Sequence, residues 1–443
     1  MLARACRPTV RPGTEALIVA HFVYFALPAI LMILGFPIYL VLILTSVAAI
    51  LLVADVPLVA VPTYMFGSLD NFPLLAVPYF VLAGEIMAQG SIARRVVAWV
   101  VSIIGGVRGS LAVTTVASSE LFGAMAHTSV GTVVAVGRLI YPSLRDSGYN
   151  ERFSIGLITS SGAVAVIIPP SIAMILYSMT AQESALALFT AGVLPSILIG
   201  LIDAGYVFAY SHLKAVPLLA RARWANIWAT TKEASWAIGT VVVIFGGIYS
   251  GVFTPTEAAG VAVIYSLFVT VVVYRELTLA DLWRVLLNSA FLISQILLIV
   301  AGAGLYSWLL TTSGIPQQVV AGIEALQMTP WETLLLINVG LLLAGSFLEP
   351  APAILILTPL LLPIVVAIGI SPVHFGIIMA VNLSIGLYTP PFGLNIFAAQ
   401  AVFGIPVATI YRGVIPFVIL NFVALLIVTY VPAISMVLVG HAH

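Results

Sequence analysis

The 443-residue chain is 62% hydrophobic and only 7% charged, where a soluble domain carries about 25% charged residues. That excludes a soluble enzyme or binding module and makes the chain an integral membrane protein. Sixteen Lys and Arg balance sixteen Asp and Glu, so bulk charge points to no nucleic-acid partner, and the single cysteine, Cys6, precludes an intrachain disulfide or a Cys-based metal site.

The apolar runs are long and continuous rather than alternating over ~10 residues, which predicts spanning helices and not a barrel. The first run, Ala16–Leu34, follows a basic start with Arg4, Arg7 and Arg11. It has the opening of a signal peptide but no small-residue cleavage site, so it reads as a retained membrane helix. The three arginines suggest a cytoplasmic start. Arg94 and Arg95 then require an even number of crossings, and either two or three can be counted, so the side of the N-terminus stays open. Glu85 follows an apolar run, where it reads as structural, meeting water or Arg94.

Next comes "ELFGAMAHTSVGTVVAVGRLIYP", which predicts a hairpin with its tip near Ala126–Gly131 and its end at Pro142. Each apolar arm looks short for a full crossing, which favours a re-entrant hairpin. Glu120 in this stretch has no evident partner. His127, at the tip, reads as a satisfied histidine, with proton coupling as the functional alternative. The following segment, Ser154–Ser178, carries "TSSGAVAVIIPPS". Proline lacks an N–H and clashes with the carbonyl one turn back, and it pushes its predecessor out of helical geometry. Two in a row therefore free several carbonyls, which survive in a membrane only inside protein or facing a cavity. Freed carbonyls suit a small cation, and the amide end of the helix that restarts after them suits a carboxylate. Around this break lie Thr159, Ser160, Ser161, Gly162, Pro169 and Ser171. The competing reading is a proline-kinked helix whose hydroxyls bond back to their own backbone.

Ala185–Tyr210 returns across the membrane to "SHLKAVPLLARARWANIWATTKEAS", residues 211–235, with Lys214, Arg221, Arg223 and Lys232. This basic connector is cytoplasmic by the positive-inside rule, and Trp224 and Trp228 predict that it lies along the membrane surface. Ala234–Tyr249 is the next apolar run. "FTPTEAAG" follows, where Thr254, Pro255 and Glu257 have the spacing of a helix start with a capping box. Leu286–Leu310 is another span. A second hairpin, "GSFLEPAPAILILTPLLLP", has its tip near Glu349–Pro352. A second break, "NLSIGLYTPPFG", holds Asn382, Ser384, Gly386, Thr389 and Pro390, and Val414–Val431 closes the chain's apolar runs. Glu349 sits where an ion or a helix N-terminus could pair with it.

The two halves share one register. Adding 221 carries Pro142 to Pro363, Gly148 to Gly369, Pro169 to Pro390, Pro170 to Pro391, Gly192 to Gly413 and Pro195 to Pro416. Interrupted apolar segments at matching positions in two halves point to the binding site of a secondary transporter. The loop after the first hairpin has Arg145 and Arg152, and the matching loop has no Lys or Arg, so the loops are expected on opposite sides, as an inverted repeat requires. The chain divides into N-terminal scaffold helices (1–70), a first repeat (71–210), the basic connector (211–235) and a second, inverted repeat (236–443). The motifs HExxH, GxSxG and GxxxxGK[ST] are absent, which leaves a zinc protease, a nucleophile-elbow hydrolase and a P-loop ATPase unsupported. An intramembrane enzyme or a passive channel are the remaining classes besides a carrier.

"FPLLAVPYFVLAGEIM", "GRLIYPSLRDSGYNERFSIGLITSSGAVAVIIPPSI", "GGIYSGVFTPTEAAGVAVIYSLFV" and "LTPLLLPIVVAIGISPVHFGIIMAVNLSIGLYTPPFGLNIF" closely resemble the large membrane subunit of tripartite ATP-independent periplasmic (TRAP) transporters, over roughly residues 35 to 435. The resemblance implies an all-α polytopic protein of the bacterial inner membrane, with two inverted repeats, re-entrant hairpins and broken helices working as an elevator. It implies Na⁺-driven import of an organic acid anion, a small membrane subunit and a soluble periplasmic substrate-binding protein as partners. It implies one Na⁺ site at Ser129, Gly162 and Pro169, with Thr128 beside them. A second Na⁺ site would lie at Pro350, Gly386, Thr389 and Pro390, with Glu349 beside them. Ser160, Ser161, Ser171, Asn382 and Ser384 are the candidates for the substrate. A stand-alone Na⁺ or H⁺ carboxylate symporter of a related inverted-repeat family is the alternative. Two departures stand out. The family's usual Ser-Gly-Ser-Ser tip reads Ala126-His127-Thr128-Ser129 here, and its second glycine before the first double proline is Ala165.

Overall fold

A computed structural model describes residues 19–54, 56–214, 216 and 223–441. Arg4, Cys6, Arg7, Arg11 and Arg221 lie outside them. The described chain is helical. In order, the helices are α1 (Val19–Ile33), α2 (Ile38–Leu52), α3 (Ala60–Leu69), α4 (Phe72–Gln89) and α5 (Ile92–Ile104). The first hairpin is α6 (Ser110–Ala126) and α7 (Ser129–Asp146), followed by the broken pair α8 (Glu151–Ser161) and α9 (Ile172–Ala181), then α10 (Ala185–Leu213). Then come α11 (Trp224–Tyr249), α12 (Pro255–Val273), α13 (Leu279–Thr312) and α14 (Ile315–Ala325). The second hairpin is α15 (Pro330–Phe347) and α16 (Pro350–Ala367), the second broken pair α17 (Pro372–Gly386) and α18 (Leu394–Phe403), and the last long helix α19 (Val407–Tyr430).

Seven of the described helices are long and apolar enough to cross a bilayer: α4, α10, α12, α13, α15, α16 and α19. The apolar run Ala234–Tyr249 is the second half of α11, whose first turns expose Trp224 and Trp228, with Lys232 over the Trp228 ring. The hairpin arms are longer than the sequence suggests. At 17 or 18 residues each they reach about 26 Å, because Pro142 and Pro363 lie inside α7 and α16 rather than ending them.

The helix starts follow local chemistry. Thr254 accepts from the Glu257 amide and Glu257 from the Thr254 amide, the expected capping box. Thr329 with Glu332 and Thr278 with Asp281 repeat it. The arginines of the N-terminal half pair differently from expectation. Glu276 accepts from Arg95 at 3.1 Å and from the Ser91 amide at 2.7 Å, while Glu85 has no ion pair with Arg94. Arg95 is drawn to Glu276 because its other face stacks on Tyr274, 3.9 Å from the ring centre.

The offset of 221 runs through the helices themselves. Adding it to the bounds of α7, 129 and 146, gives 350 and 367, the bounds of α16. The starts of α8 and α17 match in the same way (151 and 372), as do the ends of α5 and α14 (104 and 325) and of α2 and α12 (52 and 273). Packing follows the offset reciprocally. Helix α2 packs on α13 and its counterpart α12 on α4, α9 packs on α16 and its counterpart α18 on α7, and α8 packs on α19 and its counterpart α17 on α10. Each restarted half-helix thus lies against the hairpin of the other half.

Candidate helix-break sites

Each hairpin tip meets the helix break of its own half. In the first, α6 ends on His127, whose φ of 55° is left-handed. The resemblance implies glycine at this position, and glycine adopts that conformation at little cost. The His127 ring is buried edge-on to Phe80 at 4.6 Å with the Pro170 backbone beside it, and neither ring nitrogen has a hydrogen-bond partner of normal geometry. The Pro170 backbone is the polar group beside the ring at this tip.

After the tip, Ser129 turns its carbonyl toward Gly162, where an added Cβ would lie 3.3 Å from it and overlap a Val133 methyl. Gly162 opens a 3-10 turn through Val166, and Pro169 and Pro170 are joined by a cis bond. Helix α9 restarts at Ile172, with the Ser171 hydroxyl bonded back to the Val166 carbonyl. A close approach makes room for this: the Cα of Gly123 on α6 faces Ala165, with no space for a side chain.

In the second half, α17 stops at Gly386, whose Cα lies against the backbone of Gly345 near the end of α15. Thr389 bonds through its hydroxyl to the Ile385 carbonyl at 2.7 Å, the Pro390–Pro391 bond is cis, and Gly393 donates to the Ser346 carbonyl at 3.0 Å. Glu349 is the residue before α16 and Pro350 begins it. Glu349 is exposed as a residue, and its side chain caps no amide.

The two breaks also touch each other. Ser129 donates to Asn395 Oδ1 at 2.9 Å, and Asn395 Nδ2 donates to the Thr159 carbonyl at 3.1 Å, so a residue of the second break closes the first. Ser384 donates to the Ala163 carbonyl at 2.7 Å, and 163 plus 221 is 384, so this contact joins equivalent positions. Asn395 was missed in the sequence, although an asparagine in "GLNIF" beside a break was its signal.

The substrate candidates are all buried and mostly engaged. Ser160 bonds to the Gly156 carbonyl at 2.9 Å, Asn382 reaches Asn338 Oδ1 at 2.9 Å and its backbone carbonyl at 3.0 Å, Ser384 and Ser171 are held as described, and Ser161 alone has a free hydroxyl. They do not converge on one open pocket. A polar cavity of about 260 Å³ lies instead at the other end of α9, where Thr180 and Gln182 face Ser68, Asn71 and Ser307.

The bases of the hairpins lie at opposite ends of one helix. The start of α8, after the first hairpin, packs at Arg152 and Gly156 onto Gly413 near the start of α19. The start of the second hairpin, Trp331, stacks on Tyr430 at the end of α19, with ring centres 4.6 Å apart. Seventeen residues of helix separate Gly413 from Tyr430, about 26 Å.

Two half-length helices restarting inside a bundle, each against a hairpin, describe a membrane transport permease, and solved structures share the fold. The YdaH transporter of Alcanivorax borkumensis superposes with a TM-score of 0.62 at 15% identity, over 94% of this chain and 98% of that one. The family described as "Tripartite ATP-independent periplasmic transporter, DctM component" matches residues 25–434, and the chain belongs to it. It is thus a multi-pass inner-membrane transport protein and not an enzyme. The large permease protein of a C4-dicarboxylate TRAP transporter from Pseudomonas aeruginosa is 41% identical over 374 residues, 84% of this chain and 88% of the relative. The isethionate TRAP permease protein DctMQ of Oleidesulfovibrio alaskensis is 36% identical over 420 residues, 95% of this chain and 66% of the relative.

Proposed function

We propose that the chain is the transport subunit of a Na⁺-coupled importer for a small organic anion, with a carboxylate as the leading class. The observation that carries this reading is the pair of helix breaks, each closed by its own hairpin tip and tied to the other through Asn395 and Ser384. Broken helices offer a cation their freed carbonyls and offer an anion their restarted amide ends. At the first break the Ser129 carbonyl beside Gly162 and the free Ser161 hydroxyl are hard oxygen donors of the kind Na⁺ takes. At the second break, the end of α17 at Gly386 and the Thr389 that follows it are the candidate donors. The placement of the hairpin bases at the two ends of α19 supports an inverted repeat, with re-entrant hairpins and α6–α10 and α15–α19 moving as an elevator against α2–α4 and α11–α13. Relatives named for a C4-dicarboxylate and for isethionate share the chemistry of a small organic anion. The third of the DctMQ relative that this chain does not cover suits a fused small subunit, so a separate small membrane subunit and a periplasmic binding protein are the expected partners here.

The test is uptake of a radiolabelled C4-dicarboxylate into proteoliposomes holding this chain and its small subunit, with binding protein outside. Uptake is expected only under an inward Na⁺ gradient. Uptake that ignores the Na⁺ gradient would sink the coupling, and uptake by this chain alone would favour a stand-alone symporter.

A further inference from the structure

One polar cluster belongs to neither break. Asp203 on α10 is fully buried, and Asn421 on α19 is 1% exposed. Asn421 donates to Asp203 Oδ2 at 3.4 Å and to the Tyr388 hydroxyl at 2.8 Å. Tyr388 directly precedes Thr389 of the second break. From α6, the half-buried Glu120 lays its carboxylate on the Cα of Gly200, where any side chain would overlap it. Gly200 and Asp203 are three residues apart and so share one face of α10. Three acceptor oxygens here have no donor: Glu120 Oε1, Asp203 Oδ1 and Asn421 Oδ1.

The cluster has no positive partner. The ion pairs among the described residues are Arg95–Glu276 and Arg284–Asp281. The titratable group facing the acids is Tyr388, from the link between α17 and α18. On the helices packed against α6 and α10, Glu85 of α4, Arg138 of α7, Arg152 of α8, Lys232 and Glu233 of α11 and Arg412 of α19 make no ion pair or hydrogen bond with either acid. Arg95 of α5 is held by Glu276, and His374 of α17 by Ser435 and Thr429. An unpaired carboxylate in such a setting is costly, and oxygens left without a donor add to the reason for it to be protonated. The duplication does not explain the pair either, since the positions 221 further on are Leu341 and Ala424.

We propose that Glu120 and Asp203 form a carboxyl pair that holds one exchangeable proton and, through Asn421 and Tyr388, couples it to the second helix break. A proton removes one charge and supplies the donor that the orphaned oxygens lack. Asn421 is the positioning residue, since its amide spans the acid and the tyrosine. The coupling to transport rests on the carrier reading above; the proton site itself does not.

The experiment is infrared difference spectroscopy on the purified full chain with its small subunit, titrated from about pH 5 to pH 9, the interval in which perturbed carboxyls titrate. A protonated-carboxyl C=O band that appears on acidification is expected in the wild type, reduced or shifted in both Glu120→Gln and Asp203→Asn. The wild-type spectrum needs no variant to fold, and a wild type without a titrating band overturns the proposal. So does a band that both variants leave unchanged. In proteoliposomes at a fixed Na⁺ gradient, each variant is expected to flatten the pH profile of uptake. A shifted Na⁺ dependence with an unaltered pH profile would instead assign the pair to Na⁺ and overturn the proton site. Absence of any uptake would count against the carrier reading, while the infrared band would still decide the proton site.

Discussion

The two helix breaks are equivalent in register and unequal in surroundings. At the first, Pro169, Pro170 and Ser171 are all buried, and α9 restarts two residues after the prolines. At the second, Pro390 is half-buried, Pro391 and Phe392 are exposed, and α18 restarts three residues after, with Gly393 at φ 63° taking up the extra residue. The first break has a buried, uncharged tip around His127, whereas the second has the exposed Glu349. One break is therefore buried within the chain, and its copy lies partly at the chain's surface. A carrier that opens one side at a time needs such inequality in any single state, even when its halves share a common plan.

Steric contacts sharpen the comparison most. At Gly386 an added methyl would meet the backbone of Gly345, which cannot move aside without the helix, whereas at Gly162 the nearest atom is a Val133 methyl. Gly386→Ala is expected to abolish Na⁺-driven uptake and to cost about 1–3 kcal/mol of stability. Gly162→Ala should do less on both counts. Equal losses in thermal unfolding and uptake would remove the distinction between the sites.

Asn395 tests whether the breaks act together. Asn395→Ala strands the Ser129 hydroxyl and the Thr159 carbonyl, at about 1–3 kcal/mol for each buried unsatisfied group. Uptake should then need roughly tenfold more Na⁺, the equivalent of about 1.4 kcal/mol. Asn395→Asp keeps the acceptor for Ser129 and loses the donor to Thr159, so it should fall between. An Asn395→Ala variant with an unchanged Na⁺ dependence would mean that the second break does not help to shape the first site.

Accessibility gives a smaller, direct measure. In a Cys6→Ser background, Thr389→Cys should react with a polar thiol reagent well before Ser161→Cys, whose side chain is fully buried. Saturating Na⁺ should slow the first and leave the second unaffected. Faster labelling at position 161 would reverse the assignment of buried and surface breaks.

Much of this architecture is legible in the sequence because prolines and glycines act locally. Both hairpin tips and the Thr254–Glu257 capping box depend on residues within a few positions of one another, and the offset of 221 shows because such local breakers recur in one register. The sites are less legible because their contacts are long-range. Asn395 meets Ser129 across 266 residues, and Asn421 meets Asp203 across 218. The serines offered to a substrate show the opposing effect. Ser160 and Ser171 each spend the hydroxyl on a nearby carbonyl of their own segment, the usual fate of a helical hydroxyl in an apolar setting. Asp203 was missed in the sequence, although an acid inside "GLIDAGYVF" was its signal. Its meaning depends on Glu120 and Asn421, which no local pattern connects to it.

The smallest predicted effect is a control for all of these. Glu276 lies in the link between α12 and α13, with no contact to either break. Burial alone would push its carboxyl up, but hydrogen bonds from the Ser91 hydroxyl and amide and from Arg95 outweigh burial and hold it below the usual carboxylate range. A depressed carboxyl contributes stability above its unfolded value, and the contribution is lost as pH falls through the folded one. Glu276→Gln should therefore cost about 1 kcal/mol at neutral pH, the scale of a partly exposed ion pair. The gap to the wild type should close below about pH 4.3. Thermal unfolding of both proteins across that range measures it. Because the pair anchors α5 to the α12–α13 link and touches no candidate site, the Na⁺ dependence of uptake should not move. A shifted Na⁺ dependence in this variant would show that general loss of stability is enough to mimic damage at a helix break, and the contrast drawn from Gly386 and Gly162 would lose its force.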